Sequence, residues 1–123
     1  GRKTFEIARE KISKYKCIVI TSKVKKVEKK GNAVFFNPKK YSLKKILKEN
    51  GFEKICVLGG RGAYNYCLKN NLLDEIFLTI EPVAFGKGIT MFDESVKTKK
   101  FSLVLVKQLN KKGTVLLHYK KRN

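Results

Sequence analysis

Four short apolar runs limit the folds open to this chain. They lie at 17–20, 33–36, 54–58 and 75–80, and each is rich in β-branched or aromatic residues. An apolar run without alternating polar residues is typical of a strand that is covered on both faces. The runs are separated by segments with helical patterns or turn residues, so we predict four strands that alternate with helices.

Helix boundaries are marked by capping residues and glycine. Thr4 is predicted to cap the first helix and Ser42 the second, which Asn50 and Gly51 end; a third helix is predicted over 64–70. Strands that alternate with helices pair in parallel through helical crossovers. The sequence therefore predicts an α/β fold with a mostly parallel central sheet and helices on both faces.

The C-terminal third has a different pattern. Two long strand patterns, 101–109 and 114–121, flank a turn at 110–113, which predicts an antiparallel hairpin at the end of the chain. With 123 residues the chain is long enough for one packed domain and too short for two. We therefore predict a single domain over 1–123.

The chain is strongly basic, with 29 Lys and Arg against 10 Asp and Glu and a net charge of +19. Such a surplus attracts polyanions, so nucleic-acid binding is an open alternative. However, 25 of the 29 cations are lysines spread along the chain, and between Asp74 and Ser95 five acids accompany one base, Lys87. This interruption favours a solvated lysine-rich surface over a dedicated nucleic-acid face.

The cysteines and the hydropathy of the chain argue against a metalloprotein and against a membrane protein. Cys17, Cys56 and Cys67 have no metal-ligand spacing and lie among apolar residues, so we expect buried free thiols and, with His118 as the single histidine, no metal site. No apolar stretch approaches the ~20 residues that span a bilayer, and the first ten residues are polar. We expect a cytoplasmic protein without a membrane partner.

A glycine-rich stretch, VLGGRGAYN at 57–65, joins the third predicted strand to the third predicted helix. Backbone amides at a helix start stabilise anions, so a phosphate site is one interpretation. The G-G-R-G spacing matches neither the dinucleotide-binding pattern nor the P-loop, and glycines that only permit a sharp turn fit equally well. The residues alone leave both interpretations open.

Five stretches together resemble a known family. In chain order they are GRKTFE at 1–6, VITSK at 19–23, VLGGRGAY at 57–64, LLDEIFLTIEPVAFGKGITMF at 72–92 and VKQLNKKGTVLLHYK at 106–120. They resemble the dihydrofolate reductase superfamily, most closely the reductase domain of bifunctional riboflavin-biosynthesis enzymes and its stand-alone relatives. The resemblance implies a dihydrofolate reductase-like fold, NADPH as cofactor, and hydride transfer to a C=N bond of a pterin or a ribosylaminopyrimidine phosphate.

The resemblance also implies which residues contact the cofactor. In this family the G-R-x-T turn and the paired glycines flank the NADPH pyrophosphate, the segment after the first strand contacts the 2′-phosphate, and a tyrosine lies near the nicotinamide. The matching residues are Gly1, Arg2, Thr4, Thr21, Ser22, Lys23, Gly59, Gly60, Arg61, Gly62 and Tyr64. Arg2 and Arg61 can donate charge-assisted hydrogen bonds to phosphate, whereas Lys23 alone fits a solvated surface lysine equally well.

Three further residues correspond to substrate contacts. Thr79 matches a family threonine that holds the substrate ring, although an ordinary strand threonine is an equally good interpretation. Glu81 begins a segment that resembles the substrate-side loop of the relatives, and Lys87 in that segment is predicted to meet a substrate phosphate. No catalytic residue is assigned. The long hairpin, with Leu103, Leu105, Leu116 and Leu117, is predicted to help form a homodimer, as in relatives.

The sequence departs from the family in two respects. Relatives have a central strand, a loop and a helix before the G-R-x-T turn, and here that turn is at residues 1–4, so we expect a fragment or a strand supplied by a partner. Tyr15, next to Lys14, stands where folate reductases usually have arginine, and Leu58 where the riboflavin branch often has glutamate. The pattern Gly-x-Gly-x-x-x-Phe ending at Phe92 favours the riboflavin branch. The alternative is a basic polyanion-binding module on a degenerate reductase fold.

Overall fold

The computed structural model describes residues 1–122, which form three helices and six strands. The helices are α1 (Arg2–Ile12), α2 (Leu43–Glu49) and α3 (Arg61–Lys69). The strands are β1 (Cys17–Ile20), β2 (Glu28–Lys30), β3 (Ala33–Phe36), β4 (Glu75–Ile80), β5 (Phe101–Gln108) and β6 (Val115–Lys121). The chain separates into two compact units, Gly1–Ala63 and a second unit that begins at Tyr64, with the boundary inside α3.

The first unit contains a three-stranded sheet with the order β1-β3-β2. β1 pairs with β3 in parallel, with Cys17 opposite Ala33 and Ile20 opposite Phe36. β2 and β3 form an antiparallel hairpin whose two-residue turn contains Gly31, at a φ of 57°. Glycine adopts this left-handed conformation without the steric cost of a Cβ atom. The lysine-rich segment at 23–30, for which no strand was predicted, ends in the short strand β2.

The helices of the first unit differ in how much they bury. Leu43 and Ile46 of α2 are 3% exposed, and with Val19 and Phe36 of the sheet they belong to the buried apolar set of the protein. No residue of α1 is fully buried, and Ile7 on that helix is 90% exposed. Burial of apolar side chains therefore stabilises the first unit mainly through α2 and the sheet, and less through α1.

The second unit contains an antiparallel sheet with the order β4-β6-β5. β6 pairs with β4 on one side, from Glu75 opposite Lys120 to Ile80 opposite Val115, and with β5 on the other. A register shift between Leu103 and Leu105 marks a β-bulge in β5. The predicted C-terminal hairpin is confirmed, and β5 lies at an edge of its sheet.

Local patterns predicted several elements correctly. The bounds predicted for β1, β3 and β4 agree with the structure, and Ser42 is the N-cap residue of α2, although its side chain makes no capping hydrogen bond. Gly51, at a φ of 68°, follows α2, and the Phe52 N–H donates to the Leu47 carbonyl at 3.0 Å. This is the hydrogen-bond pattern by which a left-handed glycine ends a helix.

Two helix starts were predicted wrongly. Thr4 is not a cap: α1 begins at Arg2 with Gly1 as the N-cap residue, and the Phe5 N–H donates to the Gly1 carbonyl at 3.0 Å. The third helix begins at Arg61 rather than at residue 64. Glycine has a low intrinsic helix propensity, and this hid the first turn of α3 from the sequence pattern.

The prediction of a third strand at 54–58 is also wrong. The segment is not a strand, and nothing within residues 1–122 pairs with it. Ile55 and Leu58 are 38% and 58% exposed. A strand exists only when a neighbour accepts and donates its hydrogen bonds, so an apolar run alone does not make one.

The mixed α/β character is confirmed, but the mostly parallel central sheet is not. The described residues form two three-stranded sheets with one parallel pair, β1 and β3, and three antiparallel pairs. The order of elements in the sequence implied helical crossovers that bring β4 parallel to an earlier strand. In the structure β4 instead pairs with the C-terminal strand β6, antiparallel to it. Helices on both faces and a single domain over 1–123 stay predictions.

Burial of α2 generates a prediction about stability. Ile46→Ala should lower the free energy of unfolding by about 2–5 kcal/mol, because it leaves a cavity beneath α2. Ile7→Ala is the matched control, since Ile7 is 90% exposed and its truncation should change stability by less than about 0.5 kcal/mol. Urea unfolding followed by circular dichroism measures both; equal effects would contradict this account of the core.

Candidate functional site

Two helix starts carry the residues that the sequence assigns to cofactor phosphate. α1 begins directly after Gly1, and α3 begins directly after Gly59 and Gly60. The first amide groups of a helix have no acceptor within the helix and carry the positive end of its dipole. Each start can therefore donate several backbone hydrogen bonds to an anion.

The paired glycines have a backbone that other residues rarely adopt. The φ angles of Gly59 and Gly60 are 66° and 82°, both in the left-handed region. The Ala63 N–H donates to the Gly60 carbonyl at 3.0 Å and closes the first turn of α3. Two consecutive left-handed residues reverse the chain sharply, which explains why glycine occupies both positions.

The two helix starts approach each other at Gly60. A Cβ atom at position 60 would lie 3.2 Å from the Thr4 hydroxyl oxygen, which is tighter than most contacts of real Cβ atoms. Gly62, one residue into α3, has nothing within 4 Å of its Cβ position. The structure therefore brings the G-R-x-T turn and the paired glycines together, as the resemblance implied, and absence of a side chain at position 60 permits the contact.

A cleft of about 810 Å³ runs along α1 in the first unit. Its lining includes Arg2, Thr21 and Lys23, three of the predicted cofactor residues, together with Arg9 and the aromatic ring of Phe35. Its volume is within the usual range for a small-molecule site. The cleft thus combines cations with an apolar wall, a chemistry that suits a nucleotide.

Hydrogen bonds fix the segment after β1. Thr21 is buried, its N–H donates to the Phe36 carbonyl at 3.0 Å, and its hydroxyl oxygen accepts from the Lys23 N–H at 3.2 Å. The buried Asn37 side-chain amide donates to the carbonyls of Ser22 and Val24 at 3.4 and 3.5 Å. These bonds hold the segment in one conformation while the Ser22 and Lys23 side chains are exposed.

The predicted arginines are exposed and differ in their partners. Arg2 Nη1 lies 2.6 Å from Glu6 Oε1, an ion pair one helical turn apart on α1. Arg61 is exposed at the start of α3 and makes no ion pair within residues 1–122. A phosphate would have to share the Arg2 guanidinium with the Glu6 carboxylate. Arg61 can turn towards a phosphate without breaking an ion pair.

Predicted substrate residues lie in the second unit. Thr79 is an exposed residue of β4, opposite Leu116. Glu81 directly follows β4, and its Oε2 accepts a hydrogen bond of 2.7 Å from the buried hydroxyl of Thr114. Lys87 is exposed in the long connection to β5. Glu81 is thus held in place, while the Thr79 and Lys87 side chains face solvent.

The segment after Lys87 returns to α3. The rings of Tyr64 and Phe92 lie 6.2 Å apart at an interplanar angle of 59°, and the next residues, Asn65 and Asp93, are hydrogen-bonded to each other. Tyr64, predicted to lie near the nicotinamide, therefore contacts an aromatic ring of its own unit.

A sequence profile of the RibD C-terminal domain matches residues 3–115. The match covers α1 from its second residue, the segment after β1, the start of α3, and strands β4 and β5, and it ends at the first residue of β6. The chain belongs to the RibD C-terminal domain family. This membership confirms the resemblance, which pointed to the reductase domain of riboflavin-biosynthesis enzymes.

Two individual proteins are similar to this chain. The chain is similar to the uncharacterized protein YwjB of Bacillus subtilis (strain 168), with 34% identity over 73 residues. These are 59% of this chain and 41% of YwjB, so the chain spans less than half of the length of that relative. It also resembles the crystal structure of a provisionally named riboflavin biosynthesis protein from Shewanella sp. PV-4. The TM-score is 0.78 and the identity 18%, over 100% of this chain and 72% of the other, which supports the shared fold.

The cysteines of this RibD C-terminal domain do not form a site. Burial raises the pKa values of the Cys17 and Cys67 thiols, so both stay protonated near neutral pH. Only Cys67 is buried, whereas Cys17 is half-buried and Cys56 is exposed, so the expectation of three buried thiols is wrong for two of them. Within residues 1–122 no three His, Cys, Asp or Glu side chains are grouped to hold a metal ion. Over the same residues, no helix has the length and apolar character needed to cross a bilayer.

Two features of the site were not predicted. Arg9 lines the cleft with Arg2, and their separation of seven residues places them on one face of α1, so helical spacing alone could have identified Arg9. The bond between Asn65 and Asp93 joins residues 28 positions apart, and no local pattern announces it. The site residues that the sequence assigned to cofactor and substrate stay predictions.

The close approach at Gly60 generates a test. Gly60→Ala should lower the free energy of unfolding by about 1–3 kcal/mol, because alanine at a φ of 82° is strained and its Cβ meets Thr4. Gly62→Ala should be neutral or stabilising by up to about 1 kcal/mol, because the site is helical and open. Urea unfolding compares the two. If both variants are neutral, the contact between the helix starts is not as described.

Proposed function

We propose that this chain is a reductase that uses NADPH to reduce a C=N bond of a ribosylaminopyrimidine phosphate in riboflavin biosynthesis. Membership of the RibD C-terminal domain family supports the reaction class. The observation that carries the cofactor assignment is the contact between Gly60 and Thr4, which joins two anion-binding helix starts. The cleft along α1 is lined by Arg2, the first residue of that helix, together with Thr21 and Lys23.

In this proposal the residues of the first unit bind and orient the cofactor. The amides at the starts of α1 and α3 hold the pyrophosphate, with Arg2 and Arg61 adding charge-assisted hydrogen bonds. The Thr21 and Ser22 hydroxyls and Lys23 hold the 2′-phosphate, which would favour NADPH over NADH. NADPH, when bound, supplies the hydride, and the chain supplies binding and orientation.

In the second unit, residues bind the substrate. Thr79 holds the ring, Glu81 accepts a donor group of the substrate, and Lys87 pairs with its phosphate. The bond from Thr114 orients the Glu81 carboxylate, which lowers the entropy cost of using it as an acceptor.

Tyr15 in place of the folate-tail arginine and Leu58 in place of the glutamate of the riboflavin branch offset each other. The Gly-x-Gly-x-x-x-Phe pattern ending at Phe92 therefore favours a ribosylaminopyrimidine phosphate over dihydrofolate.

The second candidate function is polyanion binding without catalysis. The observation in its favour is the basic cleft along α1, in a chain with a net charge of +19. A single-stranded nucleic acid would use the same cations and stack its bases on exposed aromatic rings such as Tyr15. Binding of this kind weakens steeply with salt, which separates it from NADPH binding.

NADPH binding is the decisive measurement. The chain has five tyrosines and no tryptophan, so NADPH should quench tyrosine fluorescence, and Arg61→Ala should raise its Kd by about tenfold or more. Arg122→Ala removes the same charge from the second unit and should leave the Kd unchanged. If NADPH fails to bind while an oligonucleotide binds with steep salt dependence, the reductase proposal is wrong.

We also propose that the chain acts as a homodimer in the cytoplasm. β5 is an edge strand, and its run from Leu103 to Val106 is uncharged and about half exposed at each residue. An exposed apolar edge is a surface that proteins normally cover. The strong positive charge opposes self-association except at such an uncharged contact.

Sedimentation analysis tests the homodimer. The unmodified chain should sediment as a dimer, and Leu103→Lys combined with Leu105→Lys should give monomers, because it places two further cations at the edge. Ile7→Lys is the control: it adds a cation at an exposed apolar residue of α1 and should leave the dimer intact. A monomeric unmodified chain would refute this part of the proposal.

A further inference from the structure

The connection between β4 and β5 is attached at both of its ends. We define residues 81–93 as the substrate-side segment; it contains no helix or strand, and residues 81–90 are all exposed. Its first residue, Glu81, accepts the hydrogen bond from Thr114, and Pro82 lies against Gly113, 3.8 Å from its Cβ position. Its last residues, Phe92 and Asp93, contact α3.

Asn65 makes the attachment to α3. Its side chain is 6% exposed, and its Nδ2 donates to Asp93 Oδ2 at 2.5 Å while its Oδ1 accepts from the Asp93 N–H at 3.2 Å. Asp93 Oδ1 in turn accepts from the Ser95 N–H at 3.0 Å and from its hydroxyl. Asn65 therefore bonds to both the backbone and the side chain of Asp93. Two bonds of this kind fix the position and the orientation of Asp93 relative to α3.

The bonds of the buried Asn65 amide connect α3 to a distant segment and do not stabilise the helix itself. Asn70, just after the same helix, uses its Nδ2 to donate to the Tyr66 carbonyl at 2.8 Å, a bond that only closes the helix end. The two hydrogen bonds of the Asn65 side chain described above both cross to a residue 28 positions later. Burying a polar side chain in a helix is costly unless its partners are fixed, and here both are.

We propose that Asn65 is a positioning residue that fixes the substrate-side segment against α3, and so sets where Glu81 and Lys87 meet the substrate. The inference rests on the proposed reductase function for its catalytic consequence. The attachment itself rests on the contacts of Asn65 and Asp93 alone. Asn65 lies on the part of α3 that belongs to the second unit, as does the segment that it holds.

Kinetics test the positioning role. In the intact chain, Asn65→Asp places two carboxylates against each other and should raise KM for the ribosylaminopyrimidine phosphate about tenfold, with kcat changed by less than about twofold. The Kd for NADPH should stay unchanged. Asn70→Ala, which loses only the bond at the helix end, should leave all three values unchanged. A fall in kcat with no change in KM would overturn the positioning role.

Exchange of the two side chains tests the geometry. Asn65→Asp combined with Asp93→Asn returns one amide and one carboxylate to the pair, so KM should recover to within about threefold of the unmodified chain. An effect that does not arise from the pair of residues 65 and 93 would not be rescued in this way. If the exchanged pair performs no better than Asn65→Asp alone, the proposal fails.

Trypsin gives a readout that does not depend on activity. Lys87 is the only basic residue between Lys69 and Lys97, so cleavage after it yields two diagnostic fragments, 1–87 and 88–123. Asn65→Asp should speed this cleavage by about fivefold or more, and the exchanged pair should restore the slow rate. Faster cleavage without any NADPH binding would refute the reductase proposal and keep the attachment. An unchanged rate would refute the attachment even in an active enzyme.

Discussion

The left-handed backbone at Gly59 and Gly60 is the constraint on which the candidate site depends. It turns the unpaired segment 54–58 into α3 within two residues and leaves position 60 against Thr4. A Cβ atom there would lie 3.2 Å from the Thr4 hydroxyl oxygen and would require that side chain to shift. The two helix starts lie together because of this turn, although Gly60 and Thr4 are 56 positions apart in sequence.

Elements whose structure is decided by local sequence could be predicted. The runs at 17–20, 33–36 and 75–80 became strands with the predicted bounds, and Gly51 ends α2 through its left-handed conformation. The prediction failed at 54–58, where an equally apolar run has no neighbouring strand within residues 1–122. Pairing is a property of two segments, so periodicity in one of them does not determine it.

The candidate site shows the same division. Glycines and arginines beside helix starts could be predicted, because an anion-binding helix start is a local feature. The approach of Gly60 to Thr4 came from the family resemblance and not from spacing. The bonds of Asn37 and Asn65 could not be predicted, because an amide side chain has the same local signature whether it faces water or a buried partner. Arg9 was missed although its helical spacing from Arg2 made it accessible.

The ion pairs of the cleft can exchange their carboxylates for another anion. Arg2 with Glu6 and Lys30 with Glu28 are both substantially exposed pairs. Exposed pairs typically contribute only about 0–1 kcal/mol, because water competes for both charges. A doubly charged phosphate can therefore replace the carboxylates at little cost. The cleft holds its cations in position without committing them strongly to partners within the chain.

The three thiols differ in accessibility. Because of this difference, a label can be attached selectively beside the turn at Gly59 and Gly60. Cys56 is exposed in the unpaired segment, three residues before Gly59, whereas the buried Cys67 and the half-buried Cys17 have raised pKa values. The thiolate is the reactive form, so an alkylating reagent near neutral pH has its best target at Cys56. The chain thus carries a natural attachment point for a fluorophore or spin label next to the turn, without the need to engineer one.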